Sequence, residues 1–268
     1  MSLVPVFMLS AMLELDPVIV LKSWVAILCI QVIFGQLGRR SKQDKPDLWS
    51  RLHLQRRTQH FLSGMLVLFY QRNYTREYFL AFTIGGMSFI LLIHFARLHV
   101  SLIQTFFVGA FKHILREPEK SGMHVPGAVY FLLGNLISFW LFPRNFCSLT
   151  IIAVAVGDPL AGICGVLVSS PKILGNKTLA GTVGCALFTG LTLIFAINWG
   201  HIGSPIVPSH VCEMLMLLGA CGAISELFSV IDDNLTMPIL FRLSVWACLN
   251  VLPTDCSLHG LVKGVFES

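Results

Sequence analysis

Charged side chains are scarce in this sequence. Only 12% of its 268 residues are Asp, Glu, Lys or Arg, 55% are hydrophobic, and the mean hydropathy is +0.75. A soluble globular domain carries about 25% charged residues, so the composition excludes an ordinary water-soluble protein. Apolar runs that reach or approach the ~20 residues of a membrane-crossing helix are spread along the chain. We therefore expect an all-α polytopic membrane bundle, a single domain over residues 1–268.

Patterns typical of secretion, metal binding and nucleic-acid binding are also lacking. The eight cysteines show no CxxC spacing, and most lie in apolar runs, where they read as small buried residues. Glu14 and Asp16 interrupt the first apolar stretch, and no early basic region precedes it, so we expect no removable signal. The net charge of +5 is distributed between the apolar runs. Lipid headgroups and loop orientation explain it better than nucleic acid does.

The apolar runs predict about seven or eight membrane segments. They cover about 18–37, 61–70 (short), 78–96, 128–142, 149–168, 182–198, 212–231 and 238–252. Residues 102–111 are apolar but too short to cross comfortably, so an interfacial or re-entrant helix is expected there. The segment 38–57 carries seven Lys and Arg residues and should face the cytosol. Counting spans forward places 97–127, 169–181 and 232–234 on the same side.

An aspartate followed by a proline interrupts the apolar run 151–165. Asp is a good N-cap and Pro is favoured at the first helical position, so Asp158-Pro159 predicts a helix start, and hence a broken helix near 157–159. The free N–H groups of such a start would favour an anion. Gly157 and Gly165 lie near one side of the following helix, where they allow either close helix packing or a ligand.

Residues 175–184 combine a permissive backbone, an ammonium and hydroxyl groups just before an apolar run. The candidates for binding a polyphosphate are Gly175, Lys177, Thr178, Gly181 and Thr182. The segment is not a Walker A motif, because Asn176 separates Gly175 from Lys177. The alternative is a solvated cytosolic loop with one lysine.

Acidic residues gather where another apolar run ends. Asp232, Asp233 and Asn234 supply hard oxygen ligands of the kind that bind Mg²⁺ together with nucleotide phosphates. The alternative is that they cap the next helix in water. Glu226 lies inside the apolar run, and an ionisable residue there is expensive in lipid, so we expect it to face the same cavity.

A basic pair enters the short segment 61–70. Arg56 and Arg57 serve either as topology determinants or as phosphate-binding residues, and His60 shares a helix face with Arg56. His94 and His99 have no carboxylate partners in a metal-like pattern and are expected to be structural or interfacial.

Five motifs in register resemble the membrane lipid-kinase family that includes dolichol kinase, phytol kinase and the fungal-type CTP-dependent diacylglycerol kinase. The motifs are Arg-Arg-x-x-His at 56–60, "LREPEK…GAVYFLLG" at 115–134, "GDPLAGICG" at 157–165, "NKTLAGTVG" at 176–184 and "ISELFSVIDDNLTMPIL" at 224–240. They cover about residues 50–245. The sequence departs from the family pattern at Pro159, where a small residue is usual.

The resemblance implies transfer of the terminal phosphoryl group of CTP to a lipid hydroxyl, at a site that faces the cytosol on the endoplasmic reticulum or nuclear envelope. It implies roles for Arg56, Arg57, Asp158, Gly165, Lys177 and the sequence Asp232-Asp233-Asn234. Lys177 would hold the CTP phosphates, and Mg²⁺ (or Ca²⁺) would bridge them to Asp232 and Asp233. Asp158 would accept the hydroxyl proton or join the metal site.

The resemblance leaves the acceptor lipid open. The compact length and the residues of the last two motifs favour diacylglycerol, with dolichol, another polyprenol, phytol or farnesol as the alternative. A phosphatidate cytidylyltransferase would also use CTP and membrane carboxylates, and a transporter with a broken helix is a non-enzymatic alternative. No protein partner is predicted.

Overall fold

The described part of the chain is almost entirely helical. The computed structural model describes residues 51–112, 114–200, 202, 204–229, 232–253 and 257–267. The helices are α1 (Leu54–Asn73), α2 (Arg76–His99), α3 (Ser101–Phe111), α4 (Glu117–Lys120), α5 (Gly127–Leu141), α6 (Arg144–Leu167), α7 (Leu179–Asn198), α8 (Val211–Leu227), α9 (Asp233–Val251) and α10 (Ser257–Glu267). Strands β1 (Lys172–Leu174) and β2 (Lys177–Thr178) form a short hairpin. The all-α prediction is confirmed, with this hairpin as its one addition in the described ranges.

Five helices in the described ranges are long and apolar enough to cross a membrane. They are Arg76–His99, Arg144–Leu167, Leu179–Asn198, α8 with its preceding 3-10 turn (Pro208–Leu227), and Asp233–Val251. Each matches a predicted segment to within five residues at either end. The predicted segment 128–142 is the shorter apolar helix α5, and 61–70 is part of the longer helix α1. The predicted segment 18–37 lies outside the described residues.

The predicted break at Asp158-Pro159 is wrong. Helix α6 runs without interruption from Arg144 to Leu167 with Pro159 inside it. Pro159 cannot donate a hydrogen bond to the carbonyl of Ala155, which costs one backbone bond. Ending the helix there would free several backbone groups among apolar neighbours, because most residues between 146 and 161 are buried. Continuing the helix is therefore the smaller loss.

The chain divides into two compact units between Leu136 and Ile137; the expectation of one functional domain stays a prediction. In the first unit, Arg97 is buried near the end of α2 and donates to the backbone carbonyl of Glu119 at 2.7 Å. The Glu119 carboxylate in turn accepts the backbone N–H of Gly127 at 2.7 Å, at the start of α5. His94 is buried against the Arg97 guanidinium at 3.0 Å, which confirms its structural role. The "LREPEK" motif thus builds a helix junction.

Glycines bring the helices of the second unit into close contact. A Cβ on Gly157 of α6 would lie 2.6 Å from the Thr189 hydroxyl of α7, and one on Gly181 would lie 2.9 Å from the carbonyl oxygen of Ala161. A Cβ on Gly219 of α8 would lie 2.6 Å from a carbonyl oxygen of α7. Such distances are too short for any side chain. The small residues predicted in the "GDPLAGICG" motif therefore serve helix packing.

Arg242 fixes α9 against the end of α5 and the beginning of α6. Its side chain is buried, and Nε donates to the Thr150 hydroxyl at 2.9 Å, while Nη1 donates to the backbone carbonyl of Ser138. Its guanidinium also lies 4.8 Å from the centre of the Phe142 ring. Ser138 lies in the last turn of α5, where a cation is favoured by the helix dipole. These contacts fix the position of α9, whose first turn carries Asp233.

Candidate functional site

Lys177 is the centre of a charged cluster in the second unit. Its ammonium lies 2.9 Å from Oε1 of Glu226, at the end of α8, and 3.1 Å from Oδ1 of Asp233, in the first turn of α9. The Glu226 side chain is only 7% exposed, whereas those of Lys177 and Asp233 are 22% and 29% exposed. Lys177, Glu226 and Asp233 thus meet from three separate elements, and Glu226 lies near the acidic corner, as expected.

Two further carboxylates surround this cluster. Asp158, half-buried on α6, lies within electrostatic range of both Glu226 and Asp233. Asp232, the adjacent residue, interacts electrostatically with Asp233. Two carboxylates thus contact the ammonium and two more lie near them, and with all four ionised the cluster carries three excess negative charges. Such a cluster attracts a divalent cation and repels a bare polyanion.

The cluster keeps Lys177 protonated. Burial lowers the pKa of the Lys177 ammonium, but the attraction of Asp233 and the hydrogen bond to Glu226 outweigh it. The net result is a pKa above the ordinary lysine value of 10.5. Lys177 is therefore a cation throughout the physiological range, and its two carboxylate partners hold the ammonium in place.

The hairpin positions Lys177 at the start of α7. Strands β1 and β2 are joined by the two-residue turn Gly175-Asn176, and Gly175 has a positive φ of 54° that favours glycine. Lys177 and Thr178 form β2, and Thr178 is the N-cap of α7 because its hydroxyl accepts the backbone N–H of Gly181 at 3.2 Å. Sequence analysis predicted a phosphate loop in this segment but not the hairpin. A three-residue strand is too short to give a periodic signal.

The first N–H groups of α7 already have partners. Leu179 donates to the carbonyl of Pro171, Ala180 to the hydroxyl of Ser170 at 2.9 Å, and Gly181 to Thr178. These three N–H groups are therefore not free to bind a phosphate directly. The donor group of this segment that points to the carboxylates is the Lys177 ammonium.

The glycines predicted to bind the nucleotide have distinct positions. A Cβ on Gly165 would lie 2.8 Å from the Thr178 hydroxyl, so this glycine lets α6 approach the cap of α7. Gly157 and Gly181 are likewise packing positions. Gly175 is exposed at the hairpin turn, and apart from its chain neighbours no described residue has an atom within 4 Å of the position that a Cβ would take there. A nucleotide role for Gly157, Gly165, Gly175 and Gly181 stays a prediction.

The acidic corner has one of the two roles that the sequence left open, the capping of a helix. Asp232 caps α9, because its Oδ1 accepts the backbone N–H of Asn234 at 3.0 Å. Asp233 is instead directed to Lys177, and Asn234 is buried. Among the described residues, no three His, Cys, Asp or Glu side chains lie close enough to hold a metal ion by themselves. A metal role for Asp232 and Asp233 stays a prediction.

Arg56 and Arg57 lie on α1 in the first unit. The structure places them inside a helix that begins at Leu54, so they are not in a loop, and Nε of Arg57 donates to the carbonyl of Leu52 at 2.6 Å. His60 lies one turn after Arg56, as predicted, and its ring contacts that of Phe131 edge-on with centroids 5.3 Å apart. A phosphate-binding role for Arg56 and Arg57 stays a prediction.

Comparison with curated proteins gives relatives of modest identity. The CTP-dependent diacylglycerol kinase 1 of Eremothecium gossypii is 25% identical over 177 residues, which cover 59% of this chain and 54% of that protein. The protein of the same name from Schizosaccharomyces pombe is 28% identical over 146 residues, 51% of this chain and 63% of that protein. An uncharacterised protein of Rickettsia prowazekii is 26% identical over 149 residues, 53% of this chain and 68% of that protein.

The relatives define the extent of the likeness. The chain spans about half the length of the Eremothecium gossypii relative and somewhat more of the other two. No protein-family profile matches the chain. No solved structure matches it significantly.

Proposed function

We propose that this member of the CTP-dependent membrane lipid kinase family transfers the terminal phosphoryl group of CTP to the hydroxyl of a membrane lipid. The observation that carries the proposal is the Lys177 ammonium held between Glu226 and Asp233, with Asp158 nearby. Phosphoryl transfer requires positioning and charge neutralisation rather than covalent chemistry. A fixed cation beside clustered carboxylates supplies both.

Lys177 binds the donor phosphates in this proposal. A nucleotide triphosphate offers an ammonium stronger partners than a carboxylate does, because its oxygens carry more charge. Binding would therefore take Lys177 partly away from Asp233, which is half-buried and can turn toward a cation. The dipole of α7 adds a favourable field for phosphate at the same end of the helix. Thr178, Thr182 and Asn234 are candidates for further contacts.

The carboxylates fit a divalent cation that arrives with the nucleotide. The donor set is all oxygen, which suits Mg²⁺ or Ca²⁺, and Mg²⁺ is commonly held by one or two carboxylates together with substrate phosphates. The excess negative charge around Lys177 would repel CTP alone. We therefore assign Asp233 and Asp232 to the cation, which would neutralise charge on the phosphates. Asp158 either joins them or receives the proton of the lipid hydroxyl.

The remaining assignments concern the acceptor and the membrane. Diacylglycerol is the proposed acceptor, because the two named kinase relatives carry it in their names. Arg56 and Arg57 are proposed to stabilise phosphate charge on the substrate or product. The proposed location is the endoplasmic reticulum or nuclear envelope, with the site on the cytosolic side.

The test is an assay of the purified chain in lipid nanodiscs with CTP labelled on its terminal phosphate. Mg²⁺ and separate preparations of diacylglycerol, dolichol, phytol and farnesol are supplied. The proposal predicts labelled phosphatidate and CDP with diacylglycerol. If label is transferred only to an isoprenoid alcohol, that alcohol replaces diacylglycerol as the assigned acceptor. Release of pyrophosphate with phosphatidate would indicate a cytidylyltransferase, and no turnover of CTP with any lipid would overturn the kinase assignment.

A further inference from the structure

The two carboxylate oxygens of Glu226 have different surroundings. Oε1 accepts a hydrogen bond from the Lys177 ammonium at 2.9 Å. Oε2 is buried and has no hydrogen-bond partner among the described residues. Buried polar atoms in folded proteins are nearly always hydrogen-bonded, and an unpaired carboxylate oxygen is costly. The second oxygen of Glu226 thus calls for a donor that is not part of the described chain.

A second buried oxygen without a partner lies on the neighbouring helix. Oγ1 of Thr182, in the first turns of α7, also lacks a hydrogen-bond partner among the described residues. A threonine hydroxyl can both donate and accept. The sequence indicated Thr182 as a polar residue near the nucleotide, but not that its hydroxyl would be buried and unpaired.

The packing of α7 against α8 brings these two residues to the same level. Positions that meet across the antiparallel pair include Gly190 with Leu215, and Ala186 with Gly219. Closer to the start of α7, the Cys185 thiol donates to the carbonyl of Gly222 at 3.5 Å. Residues three or four apart lie on one face of a helix.

Continuing this contact stripe by one more turn pairs Thr182 with Glu226. Thr182 is three residues before Cys185, and Glu226 is four residues after Gly222. By this periodicity Thr182 and Glu226 lie on the facing sides of α7 and α8, and the Glu226 carboxylate contacts the ammonium of Lys177. An acceptor-only oxygen and a hydroxyl that can donate are complementary to one small chemical group. That group is an alcohol, which donates its own proton and accepts one hydrogen bond.

We propose that Glu226 and Thr182 bind the acceptor hydroxyl of the lipid substrate, an inference that rests on the proposed function. The lipid O–H donates to Oε2 of Glu226, and the Thr182 hydroxyl donates to the lipid oxygen. Through Oε1 the same carboxylate holds Lys177, which binds the donor phosphates. Glu226 thus fixes the acceptor oxygen and the phosphate-binding cation with one rigid group, which provides the alignment that phosphoryl transfer requires.

The transfer step follows from this arrangement. The lipid oxygen forms a bond to the terminal phosphorus of CTP, and the bond between that phosphorus and the bridging oxygen breaks. The bridging oxygen keeps the electron pair and leaves as part of CDP. The lipid proton passes to Oε2 of Glu226 and then to solvent. Asp158 is then assigned to the cation rather than to the proton.

Two substitutions that preserve shape test the proposal. Glu226→Gln keeps an oxygen for Lys177 but cannot take up a proton, and Thr182→Val removes only the hydroxyl. Glu213→Gln is the matched control, because Glu213 lies on the same helix, is exposed, and pairs with His210 at 2.8 Å. Each full-length variant is reconstituted in nanodiscs. Phosphoryl transfer to diacylglycerol is measured, and binding of CTP with Mg²⁺ is measured separately by equilibrium dialysis without lipid acceptor.

The expected result separates binding from turnover. Glu226→Gln should lower kcat by about 100-fold or more, the usual contribution of a positioned base, while its Kd for CTP stays within about threefold of wild type. Thr182→Val should raise the KM for diacylglycerol about tenfold, the loss of one hydrogen bond. Glu213→Gln should match wild type in every measurement.

Other results would overturn the proposal in distinguishable ways. If wild type transfers phosphate and Glu226→Gln does so equally well, the acceptor site is wrong although the kinase assignment stands. If Glu226→Gln loses CTP binding in parallel with turnover, Glu226 only positions Lys177. If wild type itself transfers no phosphate from CTP to any lipid, the proposed function fails and the acceptor site fails with it. If Glu226→Gln does not fold, Thr182→Val decides by its KM, and an unchanged value would refute the site.

Discussion

Lys177 on the second hairpin strand and Asp233 in the first turn of α9, 56 residues apart in sequence, form an ion pair with an Nζ–Oδ1 distance of 3.1 Å. The pair joins two of the five motifs through which the sequence resembles lipid kinases. Neither residue is fully buried, so both remain accessible to a ligand. In the proposed function, the nucleotide phosphates would displace Asp233 from the Lys177 ammonium.

Lys177 is expected to be essential for turnover. Lys177→Ala removes the cation and leaves the surrounding carboxylates without it, so we expect transfer from CTP to fall by about 100-fold or more. The measurement is labelled phosphate incorporated into lipid. Lys172→Ala is the control from the same hairpin, because Lys172 is exposed on β1. Similar losses in both variants would mean that the hairpin, not the ammonium, is at fault.

The stability contributed by Lys177 should depend on pH in one direction. Because folding raises its pKa, the folded state binds this proton more tightly, and the contribution is complete below the ordinary value of 10.5. It is lost as the pH rises through the raised value. The difference in thermal stability between wild type and Lys177→Gln should therefore be constant from pH 7 to about 10 and shrink above that. A difference that grew with rising pH would contradict the sign.

Capping and cation binding by Asp232 should be separable by experiment. Asp232→Ala removes the N-cap of α9 and should cost about 0.5–2 kcal/mol, whereas Asp232→Ser keeps a capping oxygen and should cost much less. Thermal unfolding in detergent measures both. If Asp232 also binds the cation, Asp232→Ser will fold normally and still require more Mg²⁺ for turnover. Wild-type Mg²⁺ dependence in Asp232→Ser would limit this residue to capping.

Divalent cations should control CTP binding itself. The excess negative charge around Lys177 predicts that chelation of Mg²⁺ weakens binding of CTP by full-length protein in the absence of lipid. Asp233→Asn should raise the Mg²⁺ concentration at half-maximal binding. Equilibrium dialysis over a Mg²⁺ series provides the comparison. Equal binding of CTP with and without Mg²⁺ would show that the cation is not needed to bind the nucleotide, and the proposed metal role would be wrong.

Gly181 should prove to be a packing residue. A methyl group there meets the backbone carbonyl of Ala161, which cannot turn aside as a flexible side chain could, so Gly181→Ala should destabilise the protein by about 1–3 kcal/mol. Gly109→Ala is the control, because beyond its own stretch of helix no atom of the described residues lies within 4 Å of the added methyl group. That change should be neutral or slightly stabilising in a helix. Thermal unfolding of both variants checks the contrast.

The helices and the members of the charged cluster could be predicted from the sequence. Prediction failed where tertiary packing outweighed a local preference of the residues. Long apolar runs gave α2 and α6 to within a few residues. Glu226 was conspicuous because an acid in an apolar helix needs a partner. Asp158-Pro159 led to the wrong prediction of a helix break, because the preference of this pair for a helix start holds in water, whereas α6 is buried there. The pairing of Lys177 with Glu226 depends on how distant helices meet, which no local pattern encodes.

The hairpin between α6 and α7 carries a consequence for how the chain can vary in length. Successive side chains of a strand point to opposite faces, so one residue added or removed in the Gly175-Asn176 turn would redirect Lys177 away from Glu226. Thr178, the next residue, is the N-cap of α7, so no flexible residues follow Lys177 that could compensate for the change. Surface connections usually tolerate insertions. This one functions as a fixed-length spacer, and a single-residue insertion here should abolish turnover while most of the helical bundle still forms.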